Sequence, residues 1–368
     1  MKTLKLRIRD KHTDKLNRLS GSVNFVWNYV NALSYEHLKR TGKFFSAYDL
    51  NEYTKGSGEL VGLHSQTIQA INETHAKARK QFKKAKLSWR TNNPKSKRKS
   101  LGWLPFKQSA IKHITTHQIG KKGLKSTLQL SLAKGQKLVI DLWDSYNLSL
   151  YQINTLEVVQ DSRNRWYACI TVKDYPKQSC GTGSVGIDLG LKDSATASNG
   201  DKLTIKQTLK YAKALAIAQR SNNKKRIKAI HAKIKNTRQD LIHKFTTQLV
   251  KDNALIVVGD VKTTQFNSKK GKLAKSVYDA GWFELKRQLT YKCENAGCRF
   301  EIVSERYTTQ TCSCCGQIDR NSPKGRAGLR IREWTCATCG TRHDRDINAS
   351  QNILAVGLHR LAEGIPLL

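Results

Sequence analysis

Ser184-Val185-Gly186-Ile187-Asp188-Leu189-Gly190 is the stretch on which the reading of the fold turns. A short apolar run ending in an acid and a glycine reads as a buried strand that delivers a carboxylate to a sheet edge. Beyond it, Ser194–Ser198 reads as a second strand, closed by an Asn199-Gly200 turn. Residues 206–252 read as two long helices, and Ala254–Val258 as a buried strand ending at Gly259-Asp260. A helix from about Leu273 to Ala296 leads to a strand over Arg299–Val303, which ends at Ser304-Glu305. A last helix starts near Asp346. That order predicts an α/β architecture with a mixed sheet.

Toward the N-terminus the character changes. Lys173 to Ser184, with Pro176, Gly181 and Gly183, reads as a linker. Before it, Leu128–Leu132, Lys137–Leu142, Leu148–Val158 and Trp166–Val172 alternate as strands, with Asp161-Ser162-Arg163-Asn164 as a hairpin turn. This predicts a small antiparallel β-domain. Residues 1–10 alternate apolar and basic and predict a further strand. From Lys11 to Arg40, Leu16, Leu19, Val23, Val26, Val30 and Leu33 recur at helical spacing. A second helix is expected over 64–90, beginning near His64-Ser65.

Lys plus Arg number 66 against 28 acids, a net charge of +38 in 368 residues. Such an excess repels itself unless a polyanion neutralises it, which points to nucleic acid. Residues 76–100 and 206–238 each hold eleven Lys or Arg and no acid. A charge run is often only a solvated face. In the first run, however, Trp89 and Trp103 lie within or beside it, where both can stack on bases. No stretch approaches the roughly 18 apolar residues that span a bilayer. No basic-then-apolar signal opens the chain, so the expected location is cytoplasmic.

Nine cysteines require an account, and four form Cys312-x-x-Cys315 and Cys336-x-x-Cys339, with 20 residues between the pairs. Two thiolates per knuckle give the tetrahedral set that one zinc ion takes. Gly316 and Gly340 follow the pairs, where a knuckle needs unhindered backbone. Four thiolates leave no coordination position for water, so this zinc is expected to be structural. A redox pair is the competing reading, and two matched pairs argue against it. Cys314 is expected to be a spare thiol, and Cys293 and Cys298 ordinary buried or free cysteines.

Four acids close separate segments. Asp188, Asp260 and Glu305 end strands, and Asp346 opens the last helix. Acids at strand ends of an open sheet can converge on one edge and hold two Mg²⁺ ions, which clamp the attacking and leaving oxygens of a phosphodiester. Taken singly, each is more often a cap or turn residue, and Asp346 can serve as the N-cap of its helix. The set and its order, in so basic a chain, carry the argument.

With Gly186-Ile187-Asp188-Leu189-Gly190 stand three further signatures. They are Lys275-Ser276-x-x-Asp279-Ala280-Gly281-Trp282, Thr309-Gln310-x-Cys312-x-x-Cys315-Gly316 and His343-Asp344-Arg345-Asp346-x-Asn348-Ala349. Together they resemble the TnpB family of transposon-encoded, RNA-guided DNA nucleases, related to the type V CRISPR effectors. Phe25-Val26-Trp27-Asn28 and Leu104-Pro105-Phe106-Lys107 match it more loosely. The resemblance implies an RNase H-like (RuvC) nuclease domain over 184–308 and 343–368, interrupted by a four-cysteine zinc ribbon over 309–342. It implies a β-barrel-like wedge domain over 1–10 and 100–175, carrying a helical recognition insert over 11–99. It further implies a guide RNA from the transposon end and a double-stranded DNA target read beside a short adjacent motif. The expected protein is a prokaryotic monomer, nucleoid-associated when on DNA and not bound to membrane.

The chain departs from the family at one catalytic position. Many members carry Glu in a Glu-Asp-Leu-like step, where this chain reads Gly259-Asp260-Val261. Either Asp260 serves from the next position, or Glu305 at the end of the following strand supplies the acid. If neither does, the resemblance leaves a nuclease-inactive, RNA-guided DNA-binding regulator as the alternative.

Overall fold

The computed structural model describes residues 2–93, 95–96, 98–120, 123–173, 175–176, 178–261, 274–328 and 330–363. The chain forms two compact units, Met1–Pro176 and Lys177–Leu368.

The first unit begins with β1 (Lys2–Ile8) and four helices, α1 (Thr13–Thr41), α2 (Ala47–Thr54), α3 (Gly58–Val61) and α4 (Ser65–Phe82). Six strands follow: β2 (Trp103–Lys107), β3 (Ile111–Ile119), β4 (Gly123–Ser131), β5 (Lys137–Asp144), β6 (Ile153–Gln160) and β7 (Trp166–Val172). They form one sheet in the order β2-β6-β7-β1-β5-β4-β3, antiparallel at every pairing. Alternation in β1 sends Leu4, Leu6 and Ile8 into the core. Strands β2 and β3 escape the sequence pattern. β3 is half-exposed and rich in His and Thr, so no apolar alternation marks it. Strand β6 starts at Ile153, later than expected. Asp144 accepts bonds from the amides of Tyr146, Asn147 and Leu148 at 2.8, 2.9 and 2.7 Å and folds that stretch into a turn.

The second expected helix ends at Phe82 rather than 90, with Lys83 left-handed at φ 49°. The chain then runs extended along α1, held by asparagines one helical face apart. Asn31 donates to Leu87 O (2.8 Å) and accepts from Leu87 N (3.0 Å). Asn28 does the same with Arg90 O and N, both at 2.8 Å, and Asn24 bonds Asn92. Each side-chain amide offers the donor and acceptor of a peptide group, so the helix serves as a strand partner. Trp103 is not a free stacking surface: its ring meets Trp27 edge-on at 6.2 Å and Arg90 covers it. Trp89 is 54% exposed.

Behind this ladder lies His75, fully buried and T-shaped to Trp27 at 5.2 Å, its Nε2 3.3 Å from Asn31 Oδ1. Burial, then the charge of Arg79, pushes its pKa down from 6.5 to about 4. A folded pKa below the unfolded one means that the unfolded chain takes up the proton first. Stability is therefore complete above pH 6.5 and falls as the pH drops toward 4. The gap of 2.5 units (6.5 minus 4) corresponds to about 3 kcal/mol. Acid unfolding followed by tryptophan fluorescence is expected to show this slope, and His75→Gln to flatten it; an equally steep slope in the variant would rule it out.

The second unit opens with β8 (Gly183–Asp188), β9 (Ala195–Ala197) and β10 (Lys202–Leu203) as a meander. α5 (Gln207–Lys210), α6 (Ala212–Arg220) and α7 (Lys224–Asp252) follow. The two long helices expected over 206–252 are thus a turn, a short helix and one long helix. The break falls at Ser221-Asn222-Asn223, where Asn222 has φ 49° and Asn223 caps α7 through Arg226 N. Then come β11 (Asn253–Gly259), α8 (Ala274–Ala280), α9 (Trp282–Ala296), β12 (Arg299–Val303), α10 (Gly325–Gly328), β13 (Glu333–Thr335), β14 (Arg342–Asp344) and α11 (Arg345–Ala362). Leu273, the expected start of the helix ending at Ala296, lies outside the described residues. Gly281, left-handed at φ 71°, divides that helix into α8 and α9 and aims Trp282 into the core.

The sheet order is β10-β9-β8-β11-β12. β8 is antiparallel to β9 and parallel to β11, and β12 is parallel to β11. Ile187, Ile256 and Val258 face the side filled by Ile242 and Leu249 of α7 and Leu285 and Leu289 of α9. Val257 and Val303 face Ile353 of α11 on the other side. Two glycines let α11 lie directly on the strands: a Cβ at Gly186 would overlap Ser350 O, and one at Gly357 would overlap Val257.

Candidate active site and metal centre

Strand alternation sorts the acids. Gly186 faces α11, so Asp188, two residues on, faces the same side. Val258 pairs with Ile187, which sets Gly259 beside Asp188. A methyl on Gly259 would stand 3.1 Å from Ile353 Cδ1 of α11, on the same side. It would also stand 3.3 Å from Glu305 Oε2 and 3.4 Å from Glu305 Cβ. Glu305, two residues past Val303, the partner of Gly259, therefore lays its carboxylate over the space left by the missing side chain. A side chain at 259 would press on Glu305 and Ile353 and require them to give by a few tenths of an ångström.

Asp260 is displaced from this arrangement. It follows Gly259 and turns to the opposite side, where Lys286 of α9 reaches Oδ1 at 3.0 Å. Its amide continues the ladder by donating to Val303 O at 2.8 Å.

Asp188 is nine-tenths or more buried. Burial first, then the charges of Asp346 and Glu305, push its carboxyl up to about 7, against partial relief from Arg345. Burial also raises Glu305; Lys286 opposes this and Asp260 adds to it. Three carboxylates, Asp188, Glu305 and Asp346, thus share one electrostatic environment, while Asp260 is paired at its margin. They do not close to direct ligand spacing. Among the described residues, the four cysteines are the one group of three or more Cys, His, Asp or Glu whose ligand atoms all lie within 4.8 Å.

Asp346 is not the N-cap of α11. Asp344 takes that role, accepting from the amides of Asp346 (2.9 Å) and Ile347 (3.0 Å). The Asp346 carboxylate instead meets Arg345 (Nη2 2.8 Å, Nε 3.1 Å) and Arg332 (Nη1 3.0 Å).

The cysteine cluster is built from two matching knuckles. Gly316 N donates to Cys312 O and Gly340 N to Cys336 O, both at 2.9 Å, with the glycines left-handed at φ 75° and 74°. Cys312, Cys315, Cys336 and Cys339 are thereby gathered so that they can hold a metal ion such as zinc. Second contacts orient the thiols: His343 Nε2 lies 3.1 Å from Cys312 Sγ, and Asp319 Oδ2 3.0 Å from Cys336 Sγ. Cys314 lies outside the four-thiol group and is exposed. The segment from Glu305 to the first knuckle is fastened to α11. Asn348 and Asn352 both donate to Thr308 O and Thr311 O, and Asn348 Oδ1 accepts from Ser313 N.

Arg332, Lys286 and Asn352 were not legible as site residues. Lone basic or amide side chains carry no spacing signal, and their partners are distant in sequence.

Comparison with known proteins accords with this geometry. Residues 282–353 match the family model described as "Cas12f1-like, TNB domain", and residues 167–268 the one described as "Probable transposase" (OrfB_IS605). A protein of Streptomyces pristinaespiralis named "Putative RNA-guided DNA endonuclease" is 31% identical over 376 residues, covering 96% of this chain and 88% of its own. The chain belongs to the TnpB family of RNA-guided DNA nucleases. Another TnpB relative, "Putative RNA-guided DNA endonuclease InsQ" of Escherichia coli (strain K12), is 31% identical over 56% of this chain and 57% of its own. Among solved structures, the Cas12f1–sgRNA–target DNA complex superimposes with a TM-score of 0.58 at 14% identity, over 94% of this chain and 83% of that one. This likeness extends the TnpB fold to the Cas12 effectors. Among the described residues no helix is long and apolar enough to cross a membrane.

Proposed function

We propose that this TnpB protein is an RNA-guided DNA endonuclease whose working acids are Asp188, Glu305 and Asp346, in an RNase H-like (RuvC) domain interrupted by a four-cysteine zinc ribbon. The observation that carries the reading is the Glu305 carboxylate lying over Gly259, 3.3 Å from where a side chain would begin. A glutamate lost from one strand end is thereby restored from the next. The strand order β10-β9-β8-β11-β12, a meander followed by two parallel strands, supports the RNase H-like assignment.

The carboxylates fit Mg²⁺ because burial, and then the neighbouring charges of Asp346 and Glu305, hold the Asp188 carboxyl up, and a dication relieves both. When bound, two Mg²⁺ supply charge stabilisation to the attacking and leaving oxygens of a phosphodiester. Asp188, on the central strand, provides the buried anchor. Glu305 reaches in from β12, and Asp346 from the first turn of α11. Asp260 stays with Lys286 and does not enter. Zinc, one per chain, holds the ribbon and takes no part in the reaction.

Glu305→Gln keeps shape and hydrogen bonding but removes the charge that a metal needs. Cutting of a guide-matched duplex is expected to fall by at least about a hundredfold, as for loss of one group stabilising transition-state charge. Asp260→Asn should cut within about threefold of the parent, as for a partly exposed ion pair. The reverse pattern would return the role to Asp260. Loss in both would mean that they share the site, and a parent that does not cut at all would be a guide-directed DNA binder.

The guide RNA, from the transposon end, and the target DNA are read as polyanions by the basic runs. Lys83, Lys84 and Lys86 are exposed, and Lys86 Nζ sits 4.8 Å from the Tyr35 ring and 5.4 Å from that of Trp89. Replacing the three lysines by Glu is expected to weaken RNA binding and lower the slope of log K against log salt by about two to three. An unchanged slope would reduce the run to a solvated face.

A further inference from the structure

We propose that Arg332 is a positioning residue, carried by the cysteine ribbon, that occupies an oxygen of Asp346 until a phosphodiester draws it away, so that divalent-metal binding and strand binding reinforce each other. The inference rests on the reading of Asp346 as a metal-holding carboxylate.

Arg332 is fixed where it is by the ribbon hairpin. Glu333 pairs with Asp344 at the end of β13–β14. The ladder then continues one step further, Arg345 N donating to Arg332 O at 2.7 Å. Ribbon hairpin and first turn of α11 are therefore one continuous piece, with Arg332 beside Asp346.

The two guanidiniums divide the carboxylate unequally. Arg345 takes Oδ1 through Nη2 (2.8 Å) and Nε (3.1 Å), and its Nη1 donates to Gly328 O at 3.3 Å. Arg332 Nη1 lies 3.0 Å from Oδ2 and 3.4 Å from Oδ1. The side chain of Arg345 is 12% exposed and that of Asp346 14%, whereas Arg332 is 40% exposed. Arg345, anchored at both ends, is built to stay, and Arg332, at the rim, is the one free to leave.

A guanidinium does not deprotonate in a protein, so nothing but competition removes it. A cation approaching Asp346 has to displace Arg332 from Oδ2. A displaced guanidinium seeks another anion, and a phosphodiester oxygen pair matches its fork as well as a carboxylate does. The strand thus offers Arg332 a new partner and opens Oδ2 in the same exchange. Without a strand, the ribbon keeps the carboxylate engaged and metal occupancy low. Because the coupling is a property of both sites, metal must tighten strand binding by the factor by which strand tightens metal binding.

Calorimetric titration of Mg²⁺ into the full chain, freed of nucleic acid, tests this without any cutting. Arg332→Gln is expected to bind Mg²⁺ about five- to tenfold more tightly than the parent, the range that one partly exposed charged contact carries. Arg332→Lys, which keeps the charge and loses the fork, should fall between them. A repeat with a saturating short single-stranded DNA should tighten Mg²⁺ binding severalfold more in the parent than in Arg332→Gln. Zinc content and melting temperature verify that the variants are folded. Equal or weaker Mg²⁺ binding in Arg332→Gln, or the same DNA effect in both proteins, overturns the proposal. If the parent gives no more heat than Asp188→Asn, the carboxylate site itself is wrong, and the role of Arg332 falls with it.

Discussion

Asp188→Asn is expected to abolish cutting while making the metal-free protein more stable. Both effects come from one feature, a carboxylate buried among other carboxylates. Its folded pKa of about 7 stands above the ordinary 3.8. A raised folded pKa means that the contribution to stability is present below pH 3.8 and lost as the pH rises through 7. The gap of 3.2 units (7 minus 3.8) sets a scale of about 4 kcal/mol for ionising Asp188 in the fold. Asparagine, of the same shape and without charge, removes that cost. At pH 8 without Mg²⁺, the ribbon zinc left in place, the variant should unfold later than the parent. Mg²⁺ should raise the melting temperature of the parent and not that of the variant, because ligand stabilisation requires the site. Guide RNA binding should be unchanged, and cutting should drop by at least about a thousandfold. A variant less stable than the parent without Mg²⁺, or one still cutting, would show that Asp188 is a structural acid.

The second large effect concerns the ribbon. Metal analysis is expected to return about one zinc per chain, and chelation or Cys336→Ser to unfold the ribbon, since such a site folds only around its metal. The loss should not stay local. The hairpin β13–β14 runs straight into α11, and Arg332 and Arg345 hold Asp346 from it. Hydrogen exchange should therefore rise over 309–342 and at the start of α11, while β8 and β11 remain protected. Cutting should be lost although every proposed catalytic carboxylate is still present. A metal-free chain with a protected ribbon and full activity would contradict this account.

These two predictions differ in how far the sequence alone could reach. The thiol set was legible because zinc fixes both residue type and spacing: two C-x-x-C pairs, each followed by glycine, leave little freedom. Asp188 was legible as a strand-end acid because a short apolar run closed by an acid and a glycine reads as a buried strand. The α/β order of the second unit followed from apolar strands too short to be helices. By contrast, β3 and the break between α5, α6 and α7 were hidden. A half-exposed strand and a helix interrupted at Asn222 leave no periodic mark.

The choice between Asp260 and Glu305 shows where the boundary lies. Sequence placed both at neighbouring strand ends and favoured Glu305 on reach, with Asp260 expected near the same metal pair, because one-dimensional proximity does not say which way a side chain points. Tertiary structure separates them by two facts. Successive residues of a strand face opposite sides, so Asp260 goes to Lys286 once Gly259 faces α11. Parallel pairing of β12 with β11 then brings Glu305 over the empty position. The same holds for Asp346, which sequence left between helix cap and site residue. Asp344 caps the helix, and Arg345 of α11 together with Arg332, set beside it by the folded ribbon hairpin, takes the carboxylate. Residue chemistry and spacing determined that this chain has four thiols spaced to hold a metal, strand-end acids and a large positive charge. Which acids meet, and what holds them before a metal arrives, depends on strand facing and pairing register, and these exist only once the chain has folded.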